Sequence, residues 1–191
     1  MAKIGFEYIV IGKLKEGEEG AATYETGKYL GPASTFNGTP TANDVKDYGD
    51  DRVVETDTSV TGGTLSIELN ETTLEIESYM LGHTYEQEKK EMKCSAEDIA
   101  PYLGIGAVGK SKRSNKIVYT AKFYCKTQFK PTADENATKQ ESTTFNHTTL
   151  EGNIFTLKSG EWKEKAEFDT LAAAKDWLNK KVGIVSGGVG A

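Results

Sequence analysis

The stretch from Ile117 to Phe129 constrains this chain more than any other. Ile117, Tyr119, Ala121, Phe123, Cys125, Thr127 and Phe129 fall on every second position, with Lys122, Lys126 and other mainly polar residues between them. A period of two sets alternate side chains on opposite faces of an extended backbone. Thirteen residues is long for a strand of a globular sheet. At a rise of about 3.3 Å per residue the ribbon is long enough to extend beyond its own domain. Pro131 closes it.

Further strands follow from the same pattern. Lys3 to Ile11 places Ile4, Phe6, Tyr8 and Val10 on one face. Thr58 to Asn70 places Leu65, Ile67 and Leu69 on one face, with a bend or bulge at Gly62-Gly63. Thr143 to Leu157 reads as one or two strands with a break at Gly152-Asn153, and Trp162, Glu164, Ala166 and Phe168 continue the alternation. Threonine runs such as Thr72-Thr73 and Thr148-Thr149 also favour extended chain. Two short helices interrupt the pattern. Thr73 to Leu81 carries Leu74, Glu77, Met80 and Leu81 on a helical face and stops at Gly82. Leu171 to Asn179 carries Leu171, Ala174 and Leu178 on one face, with Asp169 as its cap.

The remainder reads as connection. Loop excursions are expected over 13–57 and 84–99. The first is polar and glycine-rich from Lys13 to Lys28. From Gly31 to Asp57 it is either short strands joined by turns or one long excursion. Between Asp44 and Asp57 six acidic residues, Asp44, Asp47, Asp50 and Asp51 among them, stand against Lys46 and Arg52. Glu86 to Asp98, with Lys89 and Lys90, mixes both signs and reads as an exposed arm. Lys110, Lys112, Arg113 and Lys116 with their intervening serines and Asn115 mark a turn between strands. Thr132 to Gln140 reads as a polar loop. The expectation is thus a single β-rich domain over 1–181, followed by a glycine-rich flexible tail over 182–191.

Composition narrows the function classes. Hydrophobic residues make up 37%, enough for a core but low for a compact enzyme. The net charge of −6 argues against a basic nucleic-acid footprint. Cys94 and Cys125 are read as free thiols in a cytoplasmic setting. The N-terminus does not read as a signal peptide, and no apolar run has the length of a membrane span.

One segment matches a chemical motif in its letters. Gly104-Ile105-Gly106-Ala107-Val108-Gly109-Lys110-Ser111 fits both G-x-G-x-x-G and the phosphate-loop pattern G-x-x-x-x-G-K-[ST]. A phosphate loop must open a helix, whose N-terminal amides and dipole hold the anion. Here Pro101 lies just upstream, and Lys112-Arg113-Ser114-Asn115-Lys116 leads into a period-two strand. The glycines are therefore expected to ease a strand or tight turn. His83 and His147 lack a second ligand at metal spacing. His83 is expected to contact the end of the preceding helix. No nucleophile motif surrounds either cysteine. Trp162 and Trp177 read as core or interface anchors. No catalytic residue, cofactor or metal is expected.

The order of features is similar to that of the major tail, or tail-tube, proteins of long non-contractile-tailed phages, in the branch from Gram-positive hosts. The resemblance is carried by Gly5-Phe6-Glu7-Tyr8, Gly20-Ala21-Ala22-Thr23-Tyr24-Glu25, Asp47-Tyr48-Gly49-Asp50-Asp51 and Leu81-Gly82-His83. Two later pieces, Ala100-Pro101-Tyr102-Leu103-Gly104-Ile105-Gly106 and Ala137-Thr138-Lys139-Gln140-Glu141, complete it. Their order and spacing span residues 4 to 168. The resemblance implies a mainly β fold, a β-sandwich or partly closed barrel with a short flanking helix, long loops and a C-terminal helix. It implies hexameric rings that stack into a tube, a tape-measure protein and other tail proteins as partners, and DNA passing through the lumen without sequence-specific binding. The virion tail, assembled in the host cytoplasm, is the implied location. Asp44, Asp47, Asp50, Asp51, Glu86, Lys89, Lys90, Lys112, Arg113 and Trp162 are the interface or lumen candidates. Three alternatives stand beside it: a single-ring tail component such as a terminator, a β-sandwich adhesion or carbohydrate-binding module, and a nucleotide-dependent enzyme using Gly104 to Ser111.

Overall fold

The computed structural model describes residues 2–18, 20–49, 52–131 and 147–184. It is a β-rich fold with two helices and several sheets. The elements are β1 (Ala2–Glu16), β2 (Ala22–Gly31), β3 (Ala33–Ala42), β4 (Val45–Gly49), β5 (Arg52–Asp57), β6 (Val60–Leu69), α1 (Leu74–Leu81), β7 (Thr84–Glu86), β8 (Glu91–Lys93), β9 (Leu103–Arg113), β10 (Lys116–Phe129), β11 (Thr148–Phe155), β12 (Lys163–Phe168) and α2 (Leu171–Val182). Eight strands form one antiparallel sheet in the order β2-β1-β9-β10-β11-β6-β3, with β12 also paired to β10. Among the described residues the path does not close: β2 and β3 stand at its two ends. The hairpins β4–β5 and β7–β8 form separate two-stranded sheets.

β10 is the long alternating strand expected from the sequence, and it stays inside the fold. One side pairs with β9. The other side forks: Tyr119 to Tyr124 pair with β12, and Lys126 to Phe129 pair with β11. At the fork the Cys125 amide donates to the Trp162 carbonyl at 3.0 Å. A register shift against β9 lies between Tyr124 and Thr127. An extra residue in one strand reverses the faces that follow. Ala121, Phe123 and Cys125 accordingly join one core cluster, while Phe129 joins the other. The single apolar face predicted from Ile117 to Phe129 is therefore two faces.

Those clusters lie on opposite sides of the sheet. In one, Val10, Val108, Ala121, Phe123 and Cys125 pack beneath Ala174, Leu178 and Val182 of α2. In the other, Ile9, Ile11, Ile105 and Tyr124 meet Leu65, Ile67 and Leu69 of β6, Leu150 and Ile154 of β11, and Met80 of α1. β1 is bulged like β10. Shifts fall between Lys3 and Gly5 and between Glu7 and Ile9, and Tyr8 takes a left-handed backbone with φ 60°. Phe6 then packs with the Ile9 cluster and Tyr8 with the Val10 cluster, while Ile4 is exposed, so the common face expected for these residues is split.

The segment from 13 to 28, expected as loop, is the end of β1 and most of β2. Leu14 and Tyr24 pack against the α2 cluster, and Glu16 forms a largely buried ion pair with Lys126 of β10 at 2.7 Å. Long-range packing supplies the order that the polar local sequence hides. From 31 to 57, of the two alternatives the sequence leaves open, the chain takes the strands joined by turns, as β3, β4 and β5. Residues 84 to 93 form the hairpin β7–β8 rather than a loop. β11 runs unbroken through Gly152-Asn153, because Gly152 pairs with Phe129 on one side and Leu65 on the other.

Both helices form, with one cap corrected. α1 has Thr73 as its N-cap, whose hydroxyl accepts from the Ile76 amide at 3.3 Å, and Gly82 as its left-handed C-cap. α2 is capped by Thr170 rather than Asp169: the Thr170 hydroxyl accepts from the Ala173 amide at 3.3 Å. α2 continues to Val182, which is buried, so the expected tail begins inside the helix. Residues 185–191 and the expected loop over 132–140 lie outside the described residues, as does 143–146 of the expected strand.

Candidate assembly surface

The charged segments singled out in the sequence sit mainly on three hairpins. The first continues the ribbon made by β3 and β6. Those strands pair from Ala33 opposite Leu69 to Ala42 opposite Val60. Beyond a break in both strands, the chain pairs again as β4–β5. The break is closed by a polar clasp. The Asn43 amide donates to the Ser59 carbonyl at 2.8 Å, and its side-chain amide donates to Asp57 Oδ2 at 3.1 Å and to Ser59 Oγ at 3.2 Å. The Ser59 amide donates to Asp57 Oδ1 at 2.9 Å.

Past the clasp, every arm side chain that is described is exposed. Val45 is 61% exposed. Asp44 reaches Lys46 at 3.7 Å. In the ladder Asp47 is the cross-strand partner of Glu55, so two acidic residues stand opposite one another. Asp50 and Asp51 lie outside the described residues. A lone two-stranded hairpin is marginal in water, and like charges in direct register weaken it further.

The Ser59 amide, and then the Ser59 and Asn43 side chains, hold the Asp57 carboxyl below its ordinary value. A depressed folded value contributes stability above the unfolded value, which is lost as pH falls through the folded one. Asp57→Asn at neutral pH, or acidification of the native chain, is therefore expected to loosen the base of the arm. Amide exchange should rise in β4 and β5 and stay unchanged in β9 and β10; equal protection in both variants would contradict this.

The second hairpin, β7–β8, neutralises itself. Glu86 accepts from Lys89 at 2.6 Å and from Lys93 at 2.9 Å, which holds its carboxyl below the ordinary value. Lys90 is exposed in the turn, with φ 54°. At its base His83 does not cap α1. Its Nδ1 lies 2.7 Å from Asp98 Oδ2, which also accepts from the Ser95 amide at 2.8 Å.

The third is the tip joining β9 to β10, where the motif-like segment lies. Gly104 to Ser111 is strand throughout, with Val108 opposite Ala121 and Ser111 opposite Val118. The two-residue turn Ser114-Asn115, with φ 45° and 65°, follows directly. No helix opens after Ser111, so the amides and dipole of a phosphate loop are missing at this segment. Lys112, Arg113 and Lys116 are exposed, and Lys110 is half-buried. The guanidinium of Arg113 reaches Glu167 at 3.4 Å.

Trp162 lies away from the three hairpins. It is partly buried against the β6 cluster, with its ring 6.3 Å from that of Tyr124. Trp177 sits 6.3 Å from Phe168. Cys94 is exposed and Cys125 buried, both free, and burial pushes the Cys125 thiol up to about 11. His147 Nδ1 lies 3.0 Å from Glu68. Among the described residues no three His, Cys, Asp or Glu side chains gather at metal-binding distance, and no helix is long and apolar enough to cross a membrane.

Sequence patterns missed three features. Asn43 and Ser59 are unremarkable letters until pairing sets them across a strand break. Ile4 and Ile117 read as members of apolar strand faces yet are exposed, as is Val45, which no pattern singled out. The only prior signal of the arm was its charge. The chain matches no protein-family model and no curated protein.

Proposed function

We propose that this chain is a structural, non-enzymatic subunit that assembles with copies of itself, in the manner of the tail-tube proteins it resembles: hexameric rings that stack into a tube. With this goes the reading of the fold as a β-sandwich or partly closed barrel. It is supported by the packing of β6 and β11 across the β1–β9–β10 face. The observation that carries the assembly reading is the β4–β5 arm. A hairpin held to its domain by a clasp, with all its described side chains in solvent, is stabilised when another surface covers it. The open ends of the strand path at β2 and β3 add edges that a neighbour can pair with. In this reading the tape-measure protein and DNA occupy the lumen, and the assembly belongs to the virion tail.

The test is to replace 44–58 by a two-residue turn between β3 and β6. The expected result is a chain that still folds, because both core clusters lie outside the deletion. Light scattering and electron microscopy should show rings or tubes for the parent protein and isolated subunits for the variant. Single rings that never stack would favour a terminator-like role, and a parent protein that stays monomeric and binds glycan would favour the binding module.

A further inference from the structure

We propose that the surface receiving the arm is the basic β9–β10 tip of a second copy of this chain. The inference rests on the self-assembly reading and names the two faces that meet. The tip is a cationic point on an acidic protein: Lys112, Arg113 and Lys116 are exposed around one turn, whereas the whole chain carries −6. Only one ion pair answers them among the described residues, Arg113 with Glu167. The tip is stiff, since a two-residue turn with two left-handed residues joins paired strands.

Apolar surface flanks this charge. Ile117 is 44% exposed on β10, and Ile4 is 55% exposed on the neighbouring end of β1. The arm has the complementary character. Its described residues include Asp44, Asp47, Glu55 and Asp57 against Lys46 and Arg52, with exposed Val45 at its base. A cation beside the exposed Asp44 and Glu55 offsets the acidic charge that the arm carries by itself. Among the described residues no ion pair joins arm and tip within one chain. Apolar contact inside a charged rim suits a specific, oriented interface. Because arm and tip are different patches, the contact is head-to-tail. Each subunit then offers one arm and one tip, and the series closes into a ring or grows as a filament.

The test uses the full chain at low and at moderate salt, by sedimentation velocity and electron microscopy. Lys112→Glu with Lys116→Glu reverses the tip, and Asp44→Lys with Glu55→Lys reverses the arm. All four positions are exposed, and thermal melts check that each variant folds. Each reversed variant alone is expected to lose association by at least about tenfold. An equimolar mixture of the two should recover it, because reversed tip then meets reversed arm and native tip meets native arm. Association of the parent should weaken with added salt. Unchanged association in the tip variant, or no recovery on mixing, overturns this contact and leaves self-assembly standing. A parent protein that stays monomeric overturns both. Binding of a DNA oligonucleotide that is lost in the tip variant while self-association persists would assign the tip to nucleic acid instead.

Discussion

Phe123→Ala and Tyr124→Ala, truncations of adjacent residues, should each lower stability by about 3–5 kcal/mol, the range for deleting a buried aromatic side chain. They should do so by loosening different halves of the molecule. Phe123 is fully buried beneath α2, with the ring of Tyr24 edge-on at 4.9 Å. Tyr124 points the other way. Its ring lies 6.0 Å from Phe36 and 6.3 Å from Trp162, and its hydroxyl accepts from Lys163 at 2.8 Å. Urea titration gives the stability loss, and the slope should stay that of the parent. Amide exchange should separate the two: α2 loses protection first in Phe123→Ala, and β3 with β6 in Tyr124→Ala. Loss confined to the same element in both variants would contradict the two-faced role of β10.

Gly104→Val should be the more damaging change in the motif-like segment, and Lys110→Ala should matter little. A Cβ at Gly104 would lie 2.6 Å from Phe123 Cζ and closer still to the ring of Tyr24. Overpacking of this kind costs about 1–3 kcal/mol, and valine adds two further carbons in a site that is fully enclosed. Lys110 is half-buried on β9 opposite Tyr119, so removing its amine leaves the core intact. A nucleotide site predicts the reverse ranking in a binding assay, with Lys110 supplying the main contact to phosphate. Calorimetric titration with a nucleoside triphosphate, alongside thermal melts of both variants, distinguishes the two. Nucleotide binding that is lost in Lys110→Ala would refute the strand reading of this segment.

Elements whose signal is local were legible in the residues. α1 and its glycine stop lie where the pattern put them, but Thr73, expected as the first helical residue, is the cap, and the buried face is Ser78 to Leu81 while Leu74 is exposed. The charged turn between β9 and β10, the strand β6 and the extent of β10 were equally readable. β3 was not. It has one large apolar residue, Phe36, and becomes a strand because β6 pairs with it along its length. The end of β1 and the start of β2 were hidden for the same reason: Glu16 and Lys126 are polar letters whose pairing exists only once β1 reaches β10.

Residue periodicity by itself determined that the chain is β-rich, that β10 is a long strand ending at Phe129, and that two short helices accompany the sheet. Only tertiary structure decided which face each residue of β1 and β10 occupies, because single-residue bulges reverse the side-chain period and leave no mark in composition. Tertiary structure also decided that β10 forks between β11 and β12, and that the acidic stretch is a ribbon standing off the core. Pairing energy depends on the partner strand, and the partner is distant in sequence. A single strand's letters therefore record its periodicity but not its neighbours.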